Sequence, residues 1–362
     1  MRRLCFIFLW LGTCAQAQLV TQLEIVKESK LPKDVFDLVA VGGPNSGIQC
    51  DAQESIWIPG LRGYSSAVSS LVRYRPGEAM LHFDIDTVPR LKNGNIEYFS
   101  PLREGHVLAL VRTVAEYNEV HGRPTTPKRY ADTFAVTFAP SGTVDEIVQL
   151  RLPSSAAEVT ALAQLRDGWL VAGYTHDSKS IDMRAYLFDR GGSFTKELAL
   201  PSAHNKGSRT GDAESNAVFR PTALRTADGS VLVLRGFSSQ SFYRFSDTGG
   251  LLETKKLEPD GIDFWSPRLV GNSLMVNADV RPESIGKLGS IPVVRFRSAF
   301  AIFDSTTGRM TEVMTWMDYG TVGCFDGTRL TVFKKAESAA EDSTWRILTP
   351  GRATKTGHGP KT

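Results

Sequence analysis

Residues 159–201 read VTALAQLRDGWLVAGYTHDSKSIDMRAYLFDRGGSFTKELALP, and this stretch decides the fold class. Short apolar and aromatic runs follow the turn residues Asp167-Gly168 and Gly191-Gly192. Runs of this length between turn residues are typical of β-strands, because aromatic and branched side chains pack on a pleated sheet while Gly and Asp tolerate turn dihedrals. A helical period of 3.6 residues appears nowhere over a useful length, so the sequence predicts an all-β protein.

The same order of runs and turns recurs six times along the chain. The turn before the second strand lies near Gln53-Glu54, Glu104-Gly105, Asp167-Gly168, Asp228-Gly229, Gly271-Asn272 and Asp326-Gly327. The spacing of roughly 55 residues suits a four-stranded propeller blade with its loops. We therefore expect a six-bladed β-propeller, with seven blades or a β-sandwich as the alternatives.

The third strand of each repeat is the most regular element. These strands are expected at Leu71 to Tyr74, Thr133 to Phe138, Arg184 to Asp189, Ser241 to Phe245, Phe300 to Asp304 and Thr344 to Leu348. A fourth, outer strand follows in the first five repeats, but the sequence after Gly351 is too polar to form one. Residues 23–27 carry the outer-strand pattern instead, so we expect this N-terminal strand to complete the last blade and close the ring.

The N-terminus has the pattern of a secretory signal. Met1-Arg2-Arg3 precedes an apolar run, and Ala15-Gln16-Ala17 is a small-residue cleavage site, so we expect residues 1–17 to be a signal peptide and the protein to be exported, to the periplasm or outside the cell. Residues 18–350 would form one propeller domain, and residues 351–362 a disordered polar tail. A lipid anchor on Cys14, within a sequence that partly resembles a lipobox, is the alternative to cleavage.

Charge and hydropathy exclude two classes of partner. The chain has 42 Lys and Arg and 39 Asp and Glu, and without Arg2 and Arg3 the excess falls to one. The two signs are interspersed, whereas a nucleic-acid binder normally has a clustered basic excess. No run after the signal reaches the length of a membrane-spanning helix. We expect a monomer.

Cys50 and Cys324 are the two cysteines that remain after residue 17. They precede equivalent turns in the first and last blades, which are neighbours in a closed ring. Export makes a disulfide chemically feasible. Two buried thiols are the alternative, because equivalent positions in adjacent blades can exceed the roughly 7 Å limit on Cα separation.

Long irregular segments are expected on one face of the ring. They run over residues 115–131, 174–182, 202–216 and 279–297, and connections after equivalent strands open on the same face. Long loops of this kind are often functional. The candidate ligand-binding residues in them are His121, Arg123, Arg129, His176, Asp177, His204, Arg209, Arg281 and Arg297.

The mouth of the axial channel offers a second candidate site. Polar residues near the entries of the first strands are Asn45, Glu97, Asn216, Asp263 and Asp318. Four of them, Asn45, Asn216, Asp263 and Asp318, could hold a divalent cation such as Ca²⁺ through oxygen ligands, with a hydrated polar collar as the alternative. No local catalytic motif is present, so no catalytic residue is assigned.

Residues 47–51, 56–58 and 72–74, with Pro76-Gly77, resemble blades of bacterial NHL-type propellers and of the gluconolactonase and regucalcin superfamily. In the lactonase branch a first-blade glutamate and later Asn and Asp residues hold a divalent metal. That glutamate's motif has no match in this sequence.

Two functions are consistent with these patterns. The first is an exported, non-catalytic binding module that needs no cofactor and holds a protein, glycan or small-molecule ligand on the long-loop face. The alternative is a metal-dependent, lactonase-like hydrolase or lyase with its site at the channel mouth.

Overall fold

The computed structural model of the protein describes most of the repeat region. The described residues are 19–30, 49–51, 55–61, 67–75, 77–120, 123–154, 158–177, 180–200, 221–234, 241–258, 263–279, 298–316, 321–325, 329–334 and 344–350. The expected signal peptide and C-terminal tail therefore lie outside the described residues.

The described elements are almost all β-strands. Strand β1 spans Leu19–Lys30. Blade one contains β2 (Gln49–Cys50), β3 (Ile56–Leu61), β4 (Val68–Tyr74) and β5 (Leu81–Asp84). Blade two contains β6 (Gly94–Pro101), β7 (Val107–Val120), β8 (Arg123–Phe138) and β9 (Val144–Gln149).

The next two sheets have the same four-stranded form. Blade three contains β10 (Glu158–Gln164), β11 (Gly168–Asp177), β12 (Ser180–Asp189) and β13 (Phe194–Ala199). Blade four contains β14 (Thr222–Arg225), β15 (Val231–Leu234), β16 (Ser241–Phe245) and β17 (Leu251–Lys256).

Seven strands follow blade four in the part of the chain that the structure describes. The fifth unit contains β18 (Asp263–Val270), β19 (Ser273–Asp279), β20 (Ser298–Asp304) and β21 (Met310–Trp316). The sixth unit contains β22 (Thr321–Phe325), β23 (Leu330–Lys334) and β24 (Thr344–Pro350) together with β1. Short 3-10 helices lie at Ile85–Thr87, Pro89–Leu91 and Arg103–Gly105.

The strand order defines a β-propeller. In each blade the strands follow one another in chain order and pair antiparallel. Inner strand β6 contacts β2 and β10, β14 contacts β10 and β18, and β2 also contacts β22. This arrangement confirms the expected all-β propeller of four-stranded antiparallel blades, with the first strand of each unit innermost.

The number of separate sheets differs from the number of blades expected from the sequence. The described strands form five sheets, four of four strands and one of eight, instead of the six separate blades expected. The fusion occurs because β1 has two partners: residues 19–22 pair parallel with β21, and residues 23–30 pair antiparallel with β24. The same strand thus pairs with β21 and, as expected, with β24 of the last repeat.

Leu23 lies where β1 changes partner. Its side chain is 5 % exposed and belongs to an apolar cluster with Met275 and Met314 of the fifth unit and Leu330 of the sixth. By contrast, Ile25 is 45 % exposed on the same strand. The side chain of Leu23 therefore joins the two units through the core.

Successive blades also meet through the turn after the third strand. Gly142, Gly192 and Gly308 occupy this turn with positive φ, and each packs against a backbone carbonyl of the preceding outer strand. The Arg151 amide also donates to the Gly192 carbonyl. Glycine is required there because a Cβ would be strained by the backbone angle and would meet the neighbouring blade.

The apolar core lies between the sheets. Trp57 and Phe83 of blade one have ring centroids 4.8 Å apart, and Phe83 makes an edge contact of 5.9 Å with Phe138 of blade two. All three side chains are fully buried. Aromatic pairs of this geometry add to the stability that comes from burying apolar area, so the blades are held side by side by packing.

Candidate functional site

A long β-hairpin projects from blade two. Inner strand β6 begins at Gly94, which pairs with Thr113, so residues 114–120 of β7 extend beyond the sheet. They pair with residues 123–130 of β8, and we call these two segments the arm. Seven residues of twisted strand span about 20 Å. The irregular loop expected over residues 115–131 is therefore wrong: most of it is a β-ribbon.

The arm carries charges of both signs. Glu116, Glu119, Lys128 and Arg129 are exposed. Lys128 Nζ lies 2.6 Å from Glu116 Oε1, and this hydrogen bond, more than the charge alone, lowers the pKa of Glu116. The register shifts four times between β7 and β8, which makes the ribbon irregular. Bulges and charged side chains keep exposed strands from pairing with other copies of a chain.

The backbone carbonyl of Asn93, just before β6, accepts two hydrogen bonds from the arm. The Tyr117 hydroxyl donates to the Asn93 carbonyl at 3.1 Å, and the Val114 amide donates to the same carbonyl at 3.4 Å. Asn93 has φ of 63°, a left-handed conformation that asparagine tolerates better than most residues. The turn before β6 is thus shaped to meet the arm.

Three polar side chains form the base of the arm. Asn95 Nδ2 donates to Glu97 Oε1 at 2.6 Å, and the Tyr130 hydroxyl donates to the same carboxylate oxygen. Asn95 and Glu97 are 7 % and 9 % exposed, so this carboxylate is removed from water and depends on these donors. We call Asn95, Glu97 and Tyr130 the base cluster.

The base cluster has a cation beside it and connects two blades. The guanidinium of Arg112, itself 7 % exposed, lies 3.7 Å from the centre of the Tyr130 ring, a favourable cation–π geometry. Burial, and after it the negative charge of Glu97, raises the pKa of Tyr130 well above its usual value. On the other side, Asn95 Oδ1 accepts from the Val68 amide of blade one at 2.6 Å. The arm is therefore anchored to blades one and two together.

Blade three has a shorter projection at the equivalent place. The expected loop over residues 174–182 is also wrong, because β11 continues to Asp177 and β12 begins at Ser180. Residues beyond Tyr174 have no partner in β10. His176 and Asp177 thus lie in a hairpin of the blade that follows the arm's blade, although their side chains are outside the described part of the structure.

The inner strands carry polar side chains at β-bulges. The register of β6 shifts at Glu97, and that of β10 shifts at Thr160. Thr160 is 1 % exposed, and its hydroxyl has no hydrogen-bond partner among the described residues. A bulge removes a residue from the regular alternation of a strand and redirects its side chain. Polar groups are thus buried along the innermost strands.

Tyr98 crosses the inner ring. It follows Glu97 in β6 of blade two, and its hydroxyl donates to the backbone carbonyl of Ala223 in β14 of blade four. Its side chain is 8 % exposed, and burial raises the pKa of Tyr98 well above its usual value. Because β10 lies between β6 and β14, this hydrogen bond ties together two blades that are not neighbours.

Few of the sequence-predicted site residues can be placed. Arg129 is exposed on the arm, and Arg123 lies in β8, its side chain undescribed. The positions outside the described residues are His121, His204, Arg209, Arg281, Arg297, Asn45, Asn216 and Asp318. Asp263 begins β18, and Cys50 and Cys324 lie in β2 and β22, again without described side chains.

The metal hypothesis stays a prediction. Of the five collar residues, only the side chain of Glu97 is described, and it is engaged by Asn95 and Tyr130. The described part of the chain contains no group of three or more His, Cys, Asp or Glu placed to hold a metal ion. It also contains no helix long and apolar enough to span a membrane.

Three of the residues around the arm were not predicted from the sequence. Asn95 and Arg112 pair across β6 and β7, and Tyr130 lay in a segment taken for a loop. The alternation of polar Asn95 and Glu97 at the start of an apolar strand was a usable signal for the first of them. Nothing local marks Tyr130 as their partner.

Comparisons with known proteins do not assign the chain to a family. No protein-family model matches the chain, and no relative was found among curated proteins. Solved structures similar to it include a protein of unknown function from Bacteroides caccae, 12 % identical, with 77 % of this chain and 82 % of that chain covered and a TM-score of 0.41.

Two further structures give similar values. The mitotic checkpoint complex is 10 % identical, with 91 % and 96 % coverage and a TM-score of 0.41. The C-terminal WD40 domain of Sif2 is 12 % identical, with 92 % and 100 % coverage and a TM-score of 0.35. Values this low carry no inference about function. The resemblance to NHL-type and lactonase propellers therefore holds only as far as the class, a β-propeller.

Proposed function

We propose that this protein is an exported, non-catalytic binding module whose partner is a protein held on the face that carries the arm. The arm itself is the observation behind the proposal. It is a two-stranded ribbon that extends beyond inner strand β6, its described side chains at 115–119 and 128–129 are mostly exposed, and it is nevertheless fixed at its base by a buried polar cluster.

Such a ribbon contributes little to the stability of the ring. A two-stranded hairpin is marginally stable in water, and the four exposed charges at 116, 119, 128 and 129 are solvated. Its anchoring is therefore better explained by recognition than by folding. A segment held in place before binding loses less conformational entropy when the complex forms.

The shape of the arm favours a protein over a small ligand. Small-molecule sites are concave and mostly apolar, whereas the arm is convex, about 20 Å long and charged. Residues 116–119 and 128–129 offer acids and bases side by side, which suits a partner surface with complementary charges. A glycan partner is the alternative that the experiment below distinguishes.

Export and the blade count belong to the same proposal. We propose that the protein acts as a monomer and that the chain is cleaved after Ala17; cleavage there would leave β1, which begins at Leu19, intact. We also propose that the eight-stranded sheet acts as two blades, because β18–β21 and β22–β24 with β1 each contain four strands in blade order.

Site-directed photo-crosslinking tests the binding face. A crosslinking amino acid is placed at exposed Glu119 on the arm and, as a control, at exposed Lys196 on the outer strand of blade three. In the exported fraction of the source cells, the protein with the crosslinker at position 119 should give a discrete protein adduct, and the position 196 control should not.

An arm-shortened variant decides where the partner binds. Residues 115–129 are replaced by Asn-Gly, a two-residue turn that joins Val114 to Tyr130. A crosslinker is placed at Arg151, which follows the outer strand of blade two, in both the full chain and the shortened variant. The full chain should give an adduct, and the shortened variant should give none, with little change in melting temperature. An adduct that survives shortening, or none with the full chain, contradicts the proposal. A carbohydrate adduct indicates the glycan alternative.

A further inference from the structure

The first and last inner strands meet where the ring closes. Strand β2 lies against β22, with Cα atoms of the two strands within 8 Å of each other. Both strands run toward the turn into the second strand of their unit. Inner strands of neighbouring units run in the same direction in a propeller, so residues at equivalent heights lie side by side.

Each of these two strands contains a cysteine. Cys50 is the last residue of β2, and Cys324 is the last but one of β22. They are the only cysteines after residue 17 in the whole chain. The four other inner strands contain none, so the two cysteines occur in the one pair of units that are neighbours only through closure of the ring.

The closure is otherwise non-covalent. Strand β1 holds the outer part of the junction, since it pairs with both β21 and β24. At the axis, no hydrogen-bonded ladder joins β2 to β22 among the described residues. A disulfide needs Cα atoms about 4.4 to 6.8 Å apart, a spacing compatible with strands that approach within 8 Å.

We infer that Cys50 and Cys324 form a disulfide that closes the inner ring. The two thiols lose two protons and two electrons and gain the S–S bond. The electron acceptor is a disulfide of a thiol oxidoreductase in the export compartment, which is reduced to two thiols. The inference rests on the export part of the proposed function, because disulfides persist mainly in oxidising compartments.

Peptide mapping tests the bond directly. Trypsin cuts after Lys33, Arg62, Arg309 and Arg329, so Cys50 and Cys324 fall in peptides 34–62 and 310–329. The exported protein, alkylated and digested without reductant, should give these two peptides joined, at the sum of their masses less two hydrogens. Reduction should release both. Two alkylated free thiols in the exported protein would contradict the inference.

Refolding separates this outcome from failure of export. The purified full chain is unfolded, reduced and refolded in a glutathione redox buffer, and the same two peptides are examined. Joined peptides here, with the cellular protein found only inside the cell and its thiols free, would show that the bond is feasible but that the protein is not exported. Free thiols in both preparations overturn the inference itself, whatever the compartment.

Thermal unfolding distinguishes a bond from two buried thiols. The variants C50A, C324A and the double variant should lower the melting temperature by the same amount, because loss of either cysteine removes the whole bond. Reductant should lower the melting temperature of the wild type and leave all three variants unchanged. Additive losses, insensitive to reductant, would contradict the inference and identify two independent thiols.

Discussion

The hydroxyl of Tyr130 donates a hydrogen bond to the buried carboxylate of Glu97, and this contact joins the arm to the innermost strand of its blade. The two residues are 33 positions apart in the chain. The contact fixes one end of the arm to inner strand β6, so the arm and the blade are one structural unit at this point.

Loss of the Tyr130 hydroxyl should destabilise the fold. Tyr130→Phe removes a donor from the Glu97 carboxylate, which is 9 % exposed, and should lower the free energy of unfolding by about 1–2 kcal/mol. Urea unfolding measures this cost. Tyr117→Phe is the matched control, because its hydroxyl bonds at the exposed Asn93 carbonyl and its loss should cost about 0.5 kcal/mol or less. Equal costs would mean that the base cluster does not hold the arm.

The Tyr98 hydroxyl should contribute to stability in a pH-dependent way. In the folded protein the pKa of Tyr98 is raised above the usual tyrosine value of about 10. The contribution of this hydroxyl to stability is therefore fully present below about pH 10 and is lost as the pH rises toward the folded-state pKa. The unfolded state releases the proton first, which lowers the free energy of unfolding by up to about 1.4 kcal/mol per pH unit above pH 10. Tyr98→Phe should show a shallower decline than the wild type in urea unfolding between pH 8 and pH 11. Parallel curves would exclude this role.

At neutral pH the same variant should also be less stable. Tyr98→Phe leaves the Ala223 carbonyl without its side-chain donor, in a place where the tyrosine is buried. An expected loss of about 1–3 kcal/mol follows from leaving a buried acceptor unsatisfied. An unchanged midpoint at pH 7.5 would indicate that a water molecule replaces the hydroxyl.

Substitutions at two glycines distinguish the cost of backbone strain from the cost of a clash between blades. Gly192 and Gly77 have φ of 82° and 87°, but a Cβ on Gly192 would lie 2.0 Å from the Gln149 carbonyl oxygen, whereas one on Gly77 would meet nothing within 4 Å. Gly77→Ala should cost about 1 kcal/mol from strain alone, and Gly192→Ala about 2–5 kcal/mol, because the preceding outer strand must move. Similar midpoints in thermal unfolding would mean that this turn does not bear on the neighbouring blade.

The closing strand offers a third matched pair. Leu23→Ala should destabilise the protein by about 2–4 kcal/mol, since its side chain is buried between the fifth and sixth units. Ile25→Ala, on the same strand but 45 % exposed, should cost less than about 1 kcal/mol. Hydrogen exchange of the β24 amides should rise with the first variant and not the second. The reverse order would show that β1 docks in another register.

Local sequence signals were sufficient to predict the repeated strands and turns. The third strand expected at Ser241 to Phe245 is observed with the same ends, and the other five were located within their observed strands. The reason is that an apolar run closed by turn residues is encoded within about ten neighbouring positions. The turn at Gly249 and its equivalents with positive φ are marked in the same local way.

The arm and the eight-stranded sheet could not be predicted from local sequence signals. Residues 123–130 contain Pro124, Pro127 and several charged residues, and a lone strand of this composition has little propensity of its own. Pairing with residues 114–120 makes the ribbon, and the base cluster fixes it. Likewise, nothing in residues 19–22 specifies β21 as a neighbour; that contact depends on where the closing ring places them.

The sequence by itself determined the class of fold, because strand length, turn chemistry and repeat spacing are local properties that survive in one unaligned chain. Only the tertiary structure decided which polar residues converge. Asn95, Glu97 and Tyr130 form one cluster because strands β6 and β8, distant in the chain, are brought to the same end of one blade. A propeller builds its sites from such convergence, so their chemistry is a property of the closed ring and not of any segment.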